Sequence, residues 1–153
     1  MQRVELSAFG LDNLQLVEVP MPEPGRGQVR VKVAACSLNY RDFMIASGFY
    51  KTDIPLPLVP LSDCAGTIDG VGAGVTDFVS GDRVVSLLWQ DWVSGPLDAK
   101  QRTRSLGCEA PGVLSEFVVL PATAVVPAPA TLSDAEAACL PAAGLTAFAA
   151  LTT

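Results

Sequence analysis

Residues 36–50, CSLNYRDFMIASGFY, bring together several side chains that could do chemistry. They include both tyrosines of the chain, Tyr40 and Tyr50, and an Asn-Tyr-Arg-Asp tetrad that begins at Asn39. A phenol can donate a proton, and an amide offers both hydrogen-bond donors and an acceptor. The run therefore indicates either one wall of an active site or a turn that is aromatic and polar.

The chain contains no histidine, which excludes several kinds of site. Ser62, Asp63 and Cys64 stand together, but a nucleophile there would lack the histidine base of a Ser-His-Asp hydrolase. The four cysteines are Cys36, Cys64, Cys108 and Cys139. No two of them have the C-x-x-C spacing of a zinc or redox site, and a mixed Cys/His zinc site is impossible. We expect four small buried side chains in a reducing cytoplasm.

Composition and charge exclude two classes of partner. The 153 residues carry 10 Lys and Arg against 16 Asp and Glu, so no basic face is expected for nucleic acid. The longest uncharged stretches, 117–133 and 137–153, are interrupted by prolines and are shorter than the roughly 20 apolar residues that span a bilayer. The N-terminus lacks the apolar core of a secretory signal. With 50% hydrophobic residues, the chain is expected to fold as one domain and to leave apolar surface for a further domain or subunit.

The first three quarters of the sequence predict short β-strands. Val29, Val31 and Val33 alternate with Arg30 and Lys32, which is the period of two expected for a half-buried strand. Further candidates are VELSAF, LQLVEVPMP, CAGTIDGV, GDRVVSLLW and LSEFVVLPATAVVPAP. Several short strands at this spacing predict a sandwich or a barrel.

The tail of the chain has the Ala- and Leu-rich composition of helices. Ser133 followed by Glu136 predicts a capping box at the start of a first helix. Pro141 breaks or kinks that helix, and a second apolar helix is predicted to begin near Gly144 and to run without a cap to the last residue. The predicted boundaries are 1–132 for a β domain and 133–153 for a helical segment.

Gly70, Gly72 and Gly74 follow a predicted strand and imitate a dinucleotide-binding loop. The fingerprint G-x-G-x-x-G would need a glycine where Val75 stands, and the following TDFVSGD does not begin a helix that could face a pyrophosphate. We therefore interpret the three glycines as residues of positive φ in a hairpin.

Three segments, in order, resemble the N-terminal half of the medium-chain dehydrogenases and reductases. They are GQVRVKVAACSLNYRDFMIASGFY, PLVPLSDCAGTIDGVGAGVTDFVSGDRVV and GVLSEFVVLPATAVVPAPATLSDAEAACLPAAGLTAFAAL. The resemblance is greatest to the zinc-independent branch, which includes quinone oxidoreductases and the enoyl reductases of polyketide synthases. It implies a mainly β GroES-like barrel with short helices, whose last helix would lead into a Rossmann domain. Because that domain is absent from the sequence, the resemblance implies part of a longer enzyme that is inactive alone.

The positions that bind catalytic zinc in zinc-dependent relatives hold other residues here. By resemblance these positions carry Asn39, Ser62 and Asp63, and the cysteine cluster of the structural zinc is represented by Cys108 alone. Neutral Asn and Ser are poor zinc ligands, and one Asp cannot complete a tetrahedral site. The resemblance therefore implies an enzyme without zinc.

The resemblance also assigns roles in hydride transfer with NADP(H). Tyr50 would line the substrate cleft and supply a proton; the alternative is a tyrosine at a loop edge with its hydroxyl in water. Asn39 would contact the ribose or nicotinamide, or else form a turn, and Tyr40 would stack beside them. Thr146 would approach the nicotinamide, unless its hydroxyl bonds back to a helix carbonyl.

Two further groups of charged residues lie near these candidates. Asp42 is expected to pair with its neighbour Arg41 and to orient the motif rather than to act as a base. Lys100, Arg102 and Arg104 would cover the cleft or contact a cofactor phosphate, or else belong to a solvated loop.

These inferences lead to one function and two alternatives. The leading hypothesis is the substrate-side domain of a cytoplasmic, zinc-independent, NAD(P)H-dependent oxidoreductase that acts on a small-molecule carbonyl or an activated C=C bond. Its expected partner is the missing Rossmann domain, whose residues would decide between NADPH and NADH. The alternatives are a stand-alone GroES-like binding module, dimeric through the C-terminal helix, and a folded remnant without activity.

Overall fold

A computed structural model describes residues 1–96 and 104–152. Its strands are β1 (Gln2–Leu6), β2 (Leu14–Glu18), β3 (Gln28–Ser37), β4 (Asp63–Val71), β5 (Arg83–Ser86), β6 (Phe117–Pro121) and β7 (Val125–Pro127). Its helices are α1 (Tyr40–Ala46), α2 (Asp134–Ala138) and α3 (Leu145–Thr152), with a π-helical turn at Leu140–Gly144 between the last two. The expected mainly β class with short helices is confirmed.

Strand β3 pairs with a neighbour on each of its edges. The five-stranded sheet has the order β6-β3-β4-β5-β7, β1 and β2 form a separate pair, and every described strand pairing is antiparallel. In β3, Val29 and Val31 are buried and Lys32 is exposed, so the predicted period of two is confirmed. Ser37, the last residue of β3, lies opposite Asp63, the first residue of β4. The chain that enters α1 is therefore held beside the start of β4.

Three apolar clusters join these elements. The main cluster lies around β3 and β4 and includes Val29, Val31, Ile68, Val84, Leu106 and Val113. A second cluster seats α1 and consists of Leu6, Ile45, Ala46, Ile54, Leu58 and Cys108. A third seats α2 and consists of Ala65, Val85, Ala137 and Ala138. Because apolar burial dominates the free energy of folding, these contacts fix α1 and α2 against the sheet.

The predicted helical tail is confirmed over the described residues, with α2 followed by the π-helical turn and α3. The Ser133 backbone N–H donates to Glu136 Oε2 at 2.8 Å, and the Glu136 N–H donates to Ser133 Oγ at 3.3 Å, which is a reciprocal capping box. The π-helical turn contains Pro141, and α3 begins directly after Gly144. The boundary between the predicted β domain and the predicted helical segment stays a prediction. Helix α2 packs on the five-stranded sheet, against Ala65 of β4 and Val85 of β5. The described part of the chain contains no helix that could serve as a membrane span.

The interpretation of the glycine-rich loop is wrong for two of its three glycines. Of Gly70, Gly72 and Gly74, only Gly74 has a positive φ, of 84°. At Gly72 a Cβ atom would lie 1.8 Å from the carbonyl oxygen of Gly25, so this position needs glycine because two backbone segments meet there. At Gly70 a Cβ would meet only the Arg30 side chain, at 3.4 Å or more. Close backbone approach, rather than backbone conformation, explains Gly72.

The expectation of four buried cysteines is wrong for Cys139, which is exposed. Cys64 and Cys108 are buried, Cys36 is half-buried, and all four thiols are free. Burial raises the pKa of Cys36 to about 11 and that of Cys64 to about 12, and it also raises the pKa of Cys108.

Iodoacetamide at pH 8 is expected to alkylate Cys139 at least about tenfold faster than the other three cysteines, because only an accessible thiolate reacts. Peptide mapping by mass spectrometry over a time course measures the four rates. In denaturing urea all four cysteines should react at similar rates. Labelling of Cys36 as fast as that of Cys139 in the folded protein would contradict the described burial.

Candidate functional site

The tetrad that begins at Asn39 forms the start of helix α1. Asn39 is the N-cap residue, with φ −112° and ψ 152°, and its backbone N–H donates to Asp42 Oδ2 at 2.8 Å. Asp42 therefore orients the motif, as expected. Its other oxygen, Oδ1, is buried and has no hydrogen-bond partner in the described chain. Burial raises the pKa of Asp42, although the bond from Asn39 acts in the opposite direction.

The Asp63 carboxylate accepts three hydrogen bonds, from Ser62, Asn39 and Ala142. Its side chain is fully buried at the start of β4. Ser62 Oγ donates to Asp63 Oδ1 at 2.9 Å, whereas Asn39 Nδ2 and the backbone N–H of Ala142 both donate to Oδ2 at 3.1 Å. The tertiary structure thus brings together the three side chains that the resemblance places at zinc-ligand positions. It adds Ala142, in the turn before α3, which the sequence did not indicate.

The donor set around Asp63 does not fit a zinc ion. Each carboxylate oxygen already accepts hydrogen bonds, and the amide of Asn39 presents its N–H to this carboxylate. Among residues 1–96 and 104–152 no group of three or more His, Cys, Asp or Glu side chains could hold a metal. Zinc prefers thiolate, imidazole and carboxylate ligands in a tetrahedron, and this cluster supplies a single carboxylate.

Four exposed aromatic side chains lie in α1 and in the residues just after it; we call Tyr40, Phe43, Phe49 and Tyr50 the aromatic wall. Tyr40 and Phe49 are 76% and 75% exposed, and Tyr50 is 49% exposed. The rings of Tyr40 and Phe43 lie 5.9 Å apart, centre to centre, at a tilt of 31°. Exposed apolar surface of this kind marks a place where a ligand, a domain or a partner binds.

Arg41 lies against this wall and does not pair with Asp42, so that expectation is wrong. Its guanidinium donates to Ser105 Oγ at 2.7 Å and to the Leu106 carbonyl at 3.1 Å. The guanidinium carbon also lies 5.3 Å from the centre of the Tyr50 ring, within the range of a cation–π contact. Arg41 thus joins α1 to Tyr50 and to Ser105 and Leu106.

Glu109 completes this polar network and was not identified from the sequence. It accepts from the Ser105 hydroxyl and backbone N–H and from Lys51 Nζ, the last at 3.2 Å. Burial alone would raise the pKa of Glu109, but the bonds from Ser105 and Lys51 outweigh it and lower that pKa. Because 58 positions separate Lys51 from Glu109, no local pattern could have revealed the pair.

Thr146 lies on the exposed face of α3. Within the described chain its hydroxyl makes no hydrogen bond, whereas Thr152 bonds back to the carbonyl of Phe148 at 2.8 Å. The back-bonding alternative is therefore not observed at Thr146. No hydrogen bond of the described residues joins Thr146 to Asn39 or Tyr50, and its role stays a prediction.

Two cavities of about 480 and 370 Å³ lie beside β1, β6 and the strand β3, and the larger includes Arg104 in its lining. Asn39, Tyr40, Tyr50 and Thr146 line neither of these two. In the second charged group, Lys100 and Arg102 lie outside the described residues. Arg104 is exposed and contacts Asp91 at 3.3 Å, as expected for a solvated loop.

Comparison with known proteins identifies similar sequences and structures. The family model of the alcohol dehydrogenase GroES-like domain matches residues 25–130. A zinc-type alcohol dehydrogenase-like protein of Schizosaccharomyces pombe is 42% identical over 141 residues, which cover 91% of this chain and 40% of that protein. A chloroplast envelope quinone oxidoreductase homolog of Arabidopsis thaliana is 38% identical over 94% of this chain and 39% of its own length.

Solved structures agree with the sequence comparison. The crystal structure of a candidate alcohol dehydrogenase from Sinorhizobium meliloti 1021 superposes with a TM-score of 0.88 at 41% identity. The superposition covers 98% of this chain and 45% of that protein. The chain thus spans less than half the length of each of these three proteins.

Proposed function

Because the chain belongs to the alcohol dehydrogenase GroES-like domain family of the medium-chain dehydrogenases and reductases, we propose that it is the substrate-side domain of a zinc-independent, NAD(P)H-dependent oxidoreductase. The fold is the GroES-like fold, and its relatives are alcohol dehydrogenase-like proteins and quinone oxidoreductases. The proposed reaction is reduction of a carbonyl or an activated C=C bond. In this proposal a dinucleotide-binding domain completes the enzyme.

One observation carries the proposal: the residues that the resemblance places at zinc-ligand positions form a hydrogen-bonded cluster next to an exposed aromatic wall. Asp63 holds the side chain of Asn39, and Tyr40 follows Asn39 directly at the start of that wall. Without a metal, negative charge that develops on a substrate oxygen must be stabilised by hydrogen-bond donors. Both tyrosines of the wall carry accessible hydroxyls, and we assign the donor to Tyr50, whose ring lies against the Arg41 guanidinium.

The side chains of this domain would bind, orient and protonate the substrate. A nicotinamide bound at this face would supply the hydride. The half-exposed phenol of Tyr50 would donate a hydrogen bond and then a proton to the substrate, while Arg41 holds its ring in place. Tyr40 offers an exposed ring for stacking, and Asn39 and Thr146 offer polar groups on the cofactor side.

The chemistry of the aromatic wall favours a substrate that is flat and uncharged. Four aromatic rings would contact such a molecule through dispersion and stacking, with little desolvation cost. A quinone or an enone has this shape and carries an oxygen that can accept from Tyr50. The similarity to quinone oxidoreductase homologs supports the same class of substrate.

A chimeric enzyme tests the proposal. In this chimera the present chain replaces the matching segment of the S. meliloti protein, whose remaining residues supply the second domain. The TM-score of 0.88 supports a compatible junction. We expect the chimera to oxidise NADPH or NADH in the presence of a quinone or an enone. We expect the isolated chain neither to catalyse this oxidation nor to bind the cofactor.

Two results would contradict the proposal. One is micromolar binding of NADPH by the isolated chain in calorimetry, which would place a cofactor site within this domain. The other is a folded chimera that binds the cofactor and reduces no carbonyl or enone while the S. meliloti parent does so. The parent protein, purified and assayed in parallel, is the matched control.

A second candidate function, a self-associating binding module, is favoured by the surface of α3. Leu145, Phe148 and Leu151 recur every three residues along this helix and are all exposed. Such a stripe can pack against a second copy. Sedimentation velocity of the 153-residue chain at micromolar concentration tests this candidate, and a strict monomer would exclude it.

A further inference from the structure

We propose that Asp63 is a positioning residue that clamps the start of α1 to the turn before α3. The clamp consists of two hydrogen bonds to one oxygen, Asp63 Oδ2. Asn39 Nδ2 donates one of them and the backbone N–H of Ala142 donates the other, both at 3.1 Å. The two donors come from segments 24 and 79 positions away from Asp63 along the chain.

Asp63 itself is held by the sheet. It is the first residue of β4, directly opposite Ser37 of β3, and β3 and β4 form the most extensive strand pairing described. Ser62 Oγ donates to its other oxygen, Oδ1. The Asp63 carboxylate is therefore held at Oδ1 by Ser62, and its Oδ2 accepts from Asn39 and Ala142. A fixed acceptor of this kind restrains the groups that bind it.

A carboxylate at position 63 accepts all three hydrogen bonds, two at Oδ2 and one at Oδ1. The side chain of Asp63 is fully buried, and each donor around it is an N–H or O–H group. An asparagine at this position can keep its oxygen toward Asn39 and Ala142 and donate its NH2 group to Ser62 Oγ, so both clamp bonds would remain but would go to a neutral acceptor. Hydrogen bonds to a charged acceptor are also roughly twice as strong as those between neutral groups. A carboxylate thus offers both clamp bonds a stronger acceptor than the amide oxygen of an asparagine would.

The clamp couples two parts of the candidate site that are otherwise separate. α1 begins at Tyr40, directly after Asn39, whereas Ala142 precedes the helix that carries Thr146. With both segments bound to Asp63 Oδ2, the aromatic wall and α3 keep a fixed relation to each other. The relevance of this coupling to hydride transfer rests on the proposed function, but the clamp itself rests on geometry alone.

The substitution Asp63→Asn tests the clamp by hydrogen exchange and NMR of the 153-residue chain. We expect exchange of the Ala142 amide to rise about tenfold or more relative to wild type, because the oxygen that accepts from this amide no longer carries charge. The side-chain NH2 signals of Asn39 should shift in the same spectrum. The amide of Val31, in the buried part of β3, reports global unfolding and should change less than that of Ala142.

Ser62→Ala is the matched control, since it removes the donor to Oδ1 and leaves both bonds to Oδ2 in place. It should leave the Ala142 amide and the Asn39 signals near their wild-type values. The proposal would be overturned if Asp63→Asn changed the exchange rates of the Ala142 and Val31 amides equally, or if it left the exchange rate of the Ala142 amide unchanged.

A second measurement needs no variant and applies even if Asp63→Asn does not fold. In the wild-type protein, NMR coupling across the hydrogen bond should connect the Ala142 nitrogen to the side-chain carboxyl carbon of Asp63. Absence of this signal, in a spectrum that shows such couplings between β3 and β4, would overturn the clamp. An intact clamp in a chimera without oxidoreductase activity would reject the proposed function and leave this inference standing.

Discussion

Replacement of Tyr50 by phenylalanine in the chimera is expected to lower kcat by about 10²- to 10⁴-fold. This range is the usual contribution of a positioned general acid, and Tyr50→Phe removes only the hydroxyl that would act as one. The ring remains, so its contact with the Arg41 guanidinium is retained. Because the side chain is 49% exposed, loss of the hydroxyl should leave the melting temperature nearly unchanged.

The other tyrosine provides the matched comparison. Tyr40→Phe removes the same atom from a ring that we place on the cofactor side, so its effect should fall on the KM for NADPH rather than on kcat. Steady-state kinetics with both substrates varied separate the two cases. A kcat for Tyr50→Phe within about threefold of that of the chimera would reject Tyr50 as the proton donor and favour a tyrosine with its hydroxyl in water.

The substitution Gly72→Ala is expected to lower the free energy of unfolding by about 3 kcal/mol, at the upper end of the cost of overpacking. The added Cβ would lie 1.8 Å from the carbonyl oxygen of Gly25 and 3.0 Å from that of Gln28, so the backbone must move. Movement there would also strain the bond from the Gly72 N–H to the Gln28 carbonyl, at 2.8 Å.

Gly70→Ala is the control for Gly72→Ala. It adds the same methyl group two residues earlier, where the nearest atoms belong to the flexible Arg30 side chain. We expect its free energy of unfolding to stay within about 1 kcal/mol of wild type, since alanine suits a strand better than glycine does. Urea denaturation followed by circular dichroism measures both variants. Equal costs at the two positions would show that the loop does not lie against the segment around Gly25.

Much of the fold could be predicted because its signals are local. The period of two across Val29 and Val31 depends on side chains that are two positions apart. The capping box of Ser133 and Glu136 spans three positions, and Pro141 acts on the helix that contains it. Each of these patterns reports the conformation of the segment in which it lies, so the strand β3 and the helical tail were both found.

The errors arose where a residue's role depends on distant backbone or on exposure. Gly72 was interpreted from its own conformational freedom, whereas the carbonyl of Gly25 requires it. Arg41 was paired with its sequence neighbour Asp42, although its partners Ser105 and Leu106 lie 64 and 65 positions away. A local sequence pattern carries no information on which remote segments contact each other in the fold.

By itself the sequence determined which catalytic side chains this chain lacks and which segments form the strands and the helical tail, but it did not predict the helix α1. The absence of histidine is a property of composition, and local periodicity follows from the geometry of a single segment. The tertiary structure alone decided the partners of Asp63 and Glu109. Donors 79 and 58 positions away reach these carboxylates because strand pairing and core packing bring remote segments together. Contacts of that range depend on the whole fold, since the free energy that forms them is distributed over the core.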